Sequence, residues 1–251
     1  MLKRGLVAAV LSLGVAVPVE AQTAAALERA QTLMGEIAEP IFVAADIPAD
    51  ERFRIEAAEA SAPKAVLLSK DRARVTSGLL RVVKYPEELA AAAAWLIAVK
   101  RLEGPPKSAS GRFQVQARPP NESAYSSSIT NIDEAFAKRS EEAAVDVLQR
   151  QGGYGPDMER LRARARRLNS EAVKLLRRAD ISSHWLIALY DRMAAVNAGL
   201  LDRHDYAGRE ILDEQLDWLR RRTDPRPETR TSFWEDLDAD LAAIQSVLAG
   251  R

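Results

Sequence analysis

Hydrophobic residues recur three or four positions apart along most of this chain, a pattern that predicts a protein built mainly of α-helices. The first such segment covers residues 24–39. Pro40 is predicted to end it, because proline cannot donate a helical hydrogen bond. Leu161, Leu168 and Leu175 recur every seven residues in a later segment, which predicts a long amphipathic helix.

A stretch of alternating residues follows the first helix and predicts a small sheet. Phe53 and Ile55 alternate with charged residues, and the sequences AVLLS and ARVTS flank a turn-like Ser-Lys-Asp. This pattern predicts two or three strands that end at Gly78. Pro86 then begins an alanine-rich helix that is predicted to run to about Leu102, because proline is tolerated in the first turn of a helix. Residues 76–101 are therefore expected to form a strand end, a turn and a long helix.

The second half of the chain begins with a segment of unusual composition. Residues 103–130 are rich in proline, serine and glycine, which is typical of a loop that is either functional or disordered. Residues 132–151 are predicted to be helical. Ser232 and Glu235 predict a capping box at the start of the last helix. The face of that helix that is predicted to be buried consists of Phe233, Leu237, Leu241, Ile244 and Leu248.

The first 21 residues resemble a signal peptide. A short basic start precedes an apolar run, and Val19 and Ala21 supply the small residues that a signal peptidase recognises. Cleavage is expected after Ala21, which would place the mature protein in the periplasm or outside the cell. The alternative is an uncleaved membrane anchor, because the apolar run is close to the shortest length that spans a bilayer.

Composition excludes several classes of site. The 251 residues include no cysteine, so disulfides, thiolate zinc sites and cysteine nucleophiles are ruled out. There are 36 basic and 36 acidic residues, and this balance does not favour binding to nucleic acid. The length suits one large domain, or a domain with an appendage.

One stretch of the chain resembles a known family. The sequence AVLLSKDRARVTSGLLRVVKYPEELAAAAAWLIAVK is similar to the core of the zinc metallopeptidases of the CAAX prenyl protease and HtpX type, metallopeptidase family forty-eight. Ala65, residues 76–80 and residues 88–90 match that core. In the family, the Glu-Leu-Ala of the helix leads into His-Glu-x-x-His, so the histidines would fall at positions 95 and 99. The residues there are Trp95 and Val99, with Leu96 at the glutamate position.

These replacements remove the chemistry that the resemblance would imply. The histidines of this motif lie on one helical face and hold zinc, and the glutamate activates the bound water. An indole N–H only donates and valine has no polar atom, so neither Trp95 nor Val99 can ligate a metal. Zinc is the family's cofactor, but no cofactor is expected here. The helix is expected to keep its structural role, with Trp95 in the space of the metal site.

The resemblance continues downstream. The sequence EEAAVDVLQRQGGYGPDM is similar to the family's later helix and turn, and the position of the third zinc ligand falls on Arg139. A shift of the helix would place Glu141 or Glu142 there instead. His184 and Arg192 resemble the family's Thr-His-Pro and arginine segment.

Taken over residues 53–193, the resemblance implies a fold class. This is an α+β, predominantly helical fold, with a zincin-like core that contains a small β-sheet. We expect a metallopeptidase-like domain over residues 22–200 and a C-terminal helical extension over residues 201–251.

A second candidate surface is a run of basic residues on the helix that contains Leu161. A solvated helix face is one interpretation, and the other is a surface that binds anionic lipid or an acidic partner. The residues of this basic patch are Arg160, Arg162, Arg164, Arg166, Arg167, Lys174, Arg177 and Arg178.

The resemblance and the missing ligands together suggest an exported, catalytically inactive protein that binds a peptide or protein in the cell envelope. An edge strand is expected to pair with the bound segment in a cleft between sheet and helix. One alternative is an active zinc metallopeptidase with a relocated metal site around His184, Glu141 and Glu142. The other is a structural or assembly protein that uses its C-terminal helices. The residues predicted to line the cleft are Thr76, Ser77, Gly78, Trp95, Glu141, Glu142 and His184.

Overall fold

The computed structural model describes residues 19–104, 154–203, 206–223 and 231–250. Within these ranges the protein is α+β and predominantly helical, with seven α-helices around a three-stranded sheet. The helices and strands are α1 (Val19–Ala44), β1 (Arg54–Ala58), β2 (Ala65–Leu67), β3 (Arg72–Thr76), α2 (Ser77–Val82), α3 (Pro86–Glu103), α4 (Tyr154–Arg178), α5 (His184–Ala195), α6 (Tyr206–Arg220) and α7 (Ser232–Ala249). The predictions for residues 105–130 and 132–151 lie outside the described residues.

The sheet is mixed, in the order β1-β3-β2. β1 runs parallel to β3 with Ile55 opposite Ala73, and β2 runs antiparallel to β3 with Ala65 opposite Val75. Side chains alternate across a strand, so Ile55, Ala65, Ala73 and Val75 are all buried on the helix-covered side. The prediction of two or three strands is confirmed, and the sheet has three.

The strand end predicted at Gly78 is wrong, because β3 stops at Thr76 and the next residues form α2. Thr76 is extended, and its hydroxyl accepts a hydrogen bond from the backbone N–H of Leu79, 3.3 Å away. A threonine in this position satisfies one of the unpaired N–H groups at a helix start. The local cap therefore favours a helix over a longer strand.

Helix α3 lies at the centre of the molecule. It packs against α1, α4, α5, α7 and β2, and every residue from 86 to 99 is buried. The alanines of residues 90–94 allow this close approach from several sides, because they add little volume to the helix. Gly104 ends the helix with φ +71° and its N–H bonded to the Lys100 carbonyl. The predicted start at Pro86 is confirmed, and the predicted end near Leu102 lies one residue short.

Helix α1 differs from its prediction at Pro40, which lies inside the helix rather than at its end. Proline removes one helical hydrogen bond. Ile37, Ile41 and Phe42 are buried on both sides of the proline, so the hydrophobic packing of the last turn offsets this loss. The helix therefore continues to Ala44.

The last helix, α7, also differs from its prediction. Its N-cap residue is Thr231, whose side chain makes no capping hydrogen bond, so the predicted capping box of Ser232 and Glu235 is wrong. Phe233 is 43% exposed and Trp234 is buried instead. The remaining predicted residues of this face, Leu237, Leu241, Ile244 and Leu248, are buried.

Helices α6 and α7, within the predicted extension, share one hydrophobic core with the rest of the described chain. Helix α7 packs against α1 and α2. Gln245 donates from Nε2 to the carbonyl oxygens of Leu80 and Val83, at 2.8 and 2.7 Å, and Arg81 Nε donates to the Leu248 carbonyl. Among the described residues, no helix is long and apolar enough to cross a membrane.

Candidate functional site

The three motif positions of α3 lie in the hydrophobic core. Trp95, Leu96 and Val99 are 1%, 0% and 8% exposed. Trp95 is among the largest fully buried side chains of the described chain. The centre of α3 therefore consists of hydrocarbon and indole, and it packs against the long helix α4.

A charged group nevertheless lies beside Trp95. The guanidinium carbon of Arg164, on α4, is 6.0 Å from the centre of the indole ring, at the outer limit of a cation–π contact. Arg164 donates to both carboxylate oxygens of Glu103 at 2.6 and 2.8 Å, and its Nη2 lies 2.7 Å from Oδ2 of Asp202. We call these four residues the Arg164 cluster.

The electrostatics of the Arg164 cluster favour a permanent charge on the arginine. Burial alone would lower the pKa of Arg164, but the hydrogen bonds to Glu103 and Asp202 raise it above its ordinary value. Two carboxylates therefore neutralise one fixed cation next to the indole ring. The contacts of this arrangement join the end of α3, the middle of α4 and the turn before α6.

Buried polar side chains extend from this cluster towards α6. The Tyr190 hydroxyl donates to Oδ1 of Asn169 at 2.6 Å, and Asn169 Nδ2 donates to Oε1 of Gln215 at 3.3 Å. Burial raises the pKa of the Tyr190 hydroxyl, and the negative charge of Asp202 raises it further. Within the described chain, Asp202 Oδ1 and Gln215 Nε2 are buried without a hydrogen-bond partner.

A second buried charge joins the start of α3 to α5. The Glu88 side chain is fully buried, and its carboxylate accepts from Arg192 Nε at 2.7 and 2.9 Å and from the backbone N–H of Lys84 at 2.7 Å. Burial raises the pKa of the Glu88 carboxyl, and the Arg192 and Lys84 hydrogen bonds oppose that rise. Glu88 and Arg192 both belong to segments that resemble the peptidase family, and the structure brings them into contact.

His184 begins α5, and its ring packs edge-on against Trp185 with centroids 5.9 Å apart. Its Nδ1 atom is buried and has no hydrogen-bond partner among the described residues. Arg139, Glu141 and Glu142 lie outside the described residues. Across the ranges that the structure describes, no three His, Cys, Asp or Glu side chains come together in a way that could hold a metal ion.

The Thr76-Ser77-Gly78 motif binds a loop of its own chain. Thr76 Oγ1 donates to the Ala62 carbonyl at 2.7 Å and accepts from the Lys64 N–H at 2.9 Å. Ser77 Oγ accepts from the N–H of Ala60 at 3.1 Å and donates to its carbonyl at 3.0 Å. These two side chains therefore hold residues 60–64 against the start of α2.

The lack of a side chain at Gly78 allows the loop of residues 60–64 to lie close to the start of α2. A Cβ atom at this position would lie 2.1 Å from the carbonyl oxygen of Ser61 and 2.7 Å from the Ala62 carbonyl carbon. Only glycine fits this approach of two backbone segments.

The basic patch on α4 divides into two groups. Arg162 and Arg164 turn towards neighbouring elements, and Arg162 Nε lies 2.7 Å from Oε2 of Glu214 on α6. Arg166, Arg167 and Arg177 are exposed and have no ion-pair partner in the described chain. The outer residues Arg160, Lys174 and Arg178 are also exposed, and each has at least one polar contact.

Sequence reasoning missed the partners of these charges. Glu103, Asn169, Asp202 and Gln215 come from four different segments, and nothing in their spacing brings them together. The one local signal is Asn169, a polar residue directly beside Leu168 on the buried side of α4.

At the positions where the peptidase motif would carry its zinc ligands, this chain has the buried apolar residues Trp95 and Val99. No known family model matches this chain, and no curated protein is similar enough to count as a relative. The resemblance to the peptidases depends on the quoted motifs alone.

Proposed function

We propose that this protein is an exported, catalytically inactive relative of the CAAX prenyl protease and HtpX-type metallopeptidases, and that it binds a peptide or protein in the cell envelope. One observation carries the proposal: Trp95, Leu96 and Val99 are buried apolar residues on the central helix. A catalytic zinc site needs about three protein ligands and an open position. The centre of α3 offers neither.

The surroundings of Trp95 support the same conclusion. Arg164 already supplies a positive charge there, and Glu103 and Asp202 already neutralise it. The guanidinium occupies both oxygens of Glu103 and one oxygen of Asp202, so these carboxylates would have to leave Arg164, which keeps its proton at any physiological pH, before they could bind a metal ion. The chemistry of this donor set therefore favours a packed core over a metal centre.

The sheet supports a binding role at its edge. Because α3 is buried from residue 86 to 99, a bound segment would have to reach the sheet from the side. The outer edge of β2 is partly covered, since the Ala65 N–H donates to the Leu201 carbonyl at 2.9 Å. β1 is the other edge strand, and its outer edge could pair with an extended peptide.

Zinc content and proteolysis test the inactive-enzyme proposal. We expect purified protein to carry zinc far below one ion per chain, and to cleave casein at a rate that a chelator does not change. Elemental analysis and a fluorescent casein assay measure the two quantities. One zinc per chain together with chelator-sensitive cleavage would contradict the proposal.

Export and binding need separate measurements. We expect N-terminal sequencing of the protein from the envelope fraction to begin at Gln22. We expect tagged protein to capture partners from envelope extract that excess untagged protein displaces, and each partner to bind again when purified. An intact N-terminus in the cytosol, or capture that competitor does not reduce, would count against the proposal.

His184 favours one alternative, an active peptidase with a relocated zinc site that includes Glu141 and Glu142. The buried, unpartnered Nδ1 atom of His184 is the observation that supports it. If this alternative holds, His184→Ala would abolish zinc binding and cleavage together, whereas a packed histidine would affect neither.

Exposed apolar residues on α7 favour the other alternative, a structural or assembly protein. Phe233 and Val247 are 43% and 36% exposed. If α7 mediates self-association, a Phe233→Ser and Val247→Ser double variant would be monomeric by light scattering where the unaltered protein is not.

A further inference from the structure

A groove of about 420 Å³ opens where the C-terminal half of α1, the turn between α4 and α5, and the start of α7 meet. Its apolar lining includes Pro40, Ile181, Phe233 and Trp234. Phe233 is 43% exposed, and its ring contacts Trp234 edge-to-face with centroids 4.9 Å apart. The volume lies within the range of known ligand sites, and its aromatic surface faces solvent.

Carboxylates line the same groove. Glu39 is paired, because Nη1 of Arg52 lies 2.7 Å from both of its oxygens. Glu36 and Asp180 also line the groove, and neither side chain has a hydrogen-bond or ion-pair partner in the part of the chain that the structure describes. The groove therefore carries two carboxylates that no described residue pairs with.

Pro40 adds a neutral acceptor. In an α-helix, the N–H of residue 40 would bond to the carbonyl of residue 36, but proline has no N–H. The Glu36 carbonyl therefore lacks its normal donor on a helix turn that lines the groove. The backbone and the side chain of Glu36 both offer oxygen atoms to a ligand that donates hydrogen bonds.

The two helix ends that reach the groove do not change the sign of its charge. The negative C-terminal end of α4 and the positive N-terminal end of α7 both reach the groove. Their partial charges are similar in size and opposite in sign. The side chains of Glu36 and Asp180 therefore decide which ligands the groove attracts.

We propose that this groove binds a lysine or arginine side chain of an extended peptide segment. The aliphatic stem packs against Pro40 and the ring of Phe233, and the cationic end reaches Glu36 and Asp180. Long basic side chains combine these two contacts, because their stems are apolar and their ends are charged. The proposal rests on the proposed binding function and names a ligand class for it.

Other ligand classes fit less well. An anionic group would be repelled by the two free carboxylates, and an uncharged apolar group would remove them from water without a partner, which costs free energy. The groove also adjoins the sheet edge, because Arg52, the partner of Glu39, lies two residues before β1. A peptide paired with β1 would have the groove within its reach.

A matched set of blocked pentapeptides tests the ligand class. The central residue is lysine, norleucine or glutamate between alanines, so that the peptides differ in one side chain alone, which is cationic, uncharged or anionic. The probe is the NMR signal of the Trp234 indole N–H, assigned with a Trp234→Phe variant. We expect a saturable shift with the lysine peptide, binding about tenfold weaker for norleucine, and no shift for glutamate.

Two pairs of substitutions test the residues. Glu36→Gln with Asp180→Asn removes both free charges, and asparagine tolerates the positive φ of +57° at position 180. The matched control, Glu28→Gln with Asp46→Asn, loses the same charges at exposed positions outside the groove lining, and Asp46 also has a positive φ. We expect the first pair to weaken lysine-peptide binding about tenfold, and the control to leave it unchanged.

The apolar side of the groove has its own pair of variants. Phe233→Ala is expected to weaken lysine-peptide binding, whereas Val247→Ala, another exposed apolar position on α7, is expected to leave it unchanged. Equal binding of the norleucine and lysine peptides, or no shift of the Trp234 signal at all, would overturn the proposal.

The failure of this proposal and that of the broader function are distinguishable. If envelope partners bind the Glu36→Gln and Asp180→Asn variant as well as they bind the unaltered protein, the groove is not the binding site, although the protein still binds. If the unaltered protein captures no partner, the binding function itself is wrong.

Discussion

Arg164 is the residue on which the centre of this molecule depends most. Its guanidinium joins the end of α3 through Glu103, the turn before α6 through Asp202, and the face of Trp95. Asp202 Oδ1 is already a buried oxygen without a partner in the described chain. Loss of the Arg164 guanidinium would also remove the partner of Oδ2, so that neither oxygen of the Asp202 carboxylate would have a partner in the described chain.

The first prediction concerns this guanidinium. Arg164→Leu is expected to lower the free energy of unfolding by about 2–4 kcal/mol, because it leaves half-buried carboxylates unpaired. Arg166→Leu is the matched control on the same helix, and its exposed side chain predicts a change within about 0.5 kcal/mol. Urea unfolding measures both. Equal effects of the two substitutions would show that the Arg164 cluster contributes little to stability.

The second prediction concerns Glu88 and pH. Burial raises the pKa of the Glu88 carboxyl above its ordinary value of 4.5, so the folded state binds this proton more tightly than the unfolded state does. Protonation of Glu88 therefore favours folding at low pH, and this contribution falls as pH rises from about 4.5 through the folded pKa. The glutamine of Glu88→Gln does not titrate in this pH range. The free energy of unfolding of the unaltered protein should therefore fall, relative to that of this variant, as pH rises through the folded pKa of Glu88.

Urea unfolding of both proteins at several pH values between about 4 and 8 measures this difference. Arg192→Met is a useful companion, because loss of its hydrogen bond should raise the pKa of Glu88 further and move the window to higher pH. A stability difference that grows with pH, or that does not change, would contradict the stated direction.

At the scale of elements, α4 shows how one helix uses its charges for two purposes. Leu168 and Leu175 face the core, as their seven-residue spacing predicts, and Leu161 is half-buried. Arg162 and Arg164 lie beside this apolar face and pair with neighbouring elements. Arg166, Arg167 and Arg177 stand on the outer side, where they contribute little to folding.

The third prediction separates these groups. Reversal of Arg166, Arg167 and Arg177 to glutamate is expected to change the free energy of unfolding by less than about 1 kcal/mol, because exposed charges without partners contribute little. Urea unfolding checks this. A larger loss would mean that the outer arginines stabilise the fold.

The same variant then distinguishes the two interpretations of the basic patch. Sedimentation with phosphatidylglycerol vesicles compares it with a control that carries Lys70→Glu, Arg209→Glu and Arg221→Glu, three exposed basic positions elsewhere. Weaker sedimentation of the α4 variant alone would indicate lipid binding through this helix, and equal sedimentation would indicate a solvated face.

Helices and strands could largely be predicted from the chain because each has one apolar side. The misses have both tertiary and local causes. Pro40 lies inside α1 because packing on both sides of it compensates for one hydrogen bond, and Thr76 caps a helix where alternation predicts a strand. Phe233 and Trp234 are adjacent in the chain, so an error of one residue in the predicted helix face assigns Phe233 to the core, whereas Trp234 is the buried ring.

The site was predictable only where its chemistry is local. That Trp95 and Val99 cannot bind a metal ion follows from their side chains alone. The partners of Arg164 could not be predicted, because Glu103 and Asp202 lie 61 residues before and 38 residues after it in the chain. Their contact depends on how α3, α4 and the turn before α6 pack, and no short-range pattern encodes that packing.

At the scale of the whole molecule, the described chain has a continuous core that runs from α1 to α7. α7 covers α1 and α2 and is also tied to them by polar contacts, including the ion pair of Arg29 with Asp240. The C-terminal helices are therefore part of the body of the protein, and their removal would uncover apolar surface on the first helices.

The fourth prediction follows. Deletion of residues 224–251 exposes the surfaces that bury Leu237, Leu241, Ile244 and Leu248. Each such side chain contributes about 1.5–3 kcal/mol, and the sum is comparable to the whole stability of a typical domain. We expect the truncated chain to show no cooperative thermal transition by circular dichroism, whereas deletion of residues 250–251 alone should leave the transition intact. A cooperative transition in the long truncation would contradict this.

The arginine above Trp95 also has a consequence for evolution and for protein engineers. Three codon changes that place His, Glu and His at positions 95, 96 and 99 would create the zinc motif in a space already filled by side chains, beside Arg164. The nearby carboxylates of Glu103 and Asp202 are already held by the guanidinium. If the proposed relationship to the peptidases holds, a working zinc site would therefore require the surroundings of Arg164 to change together with the three motif positions.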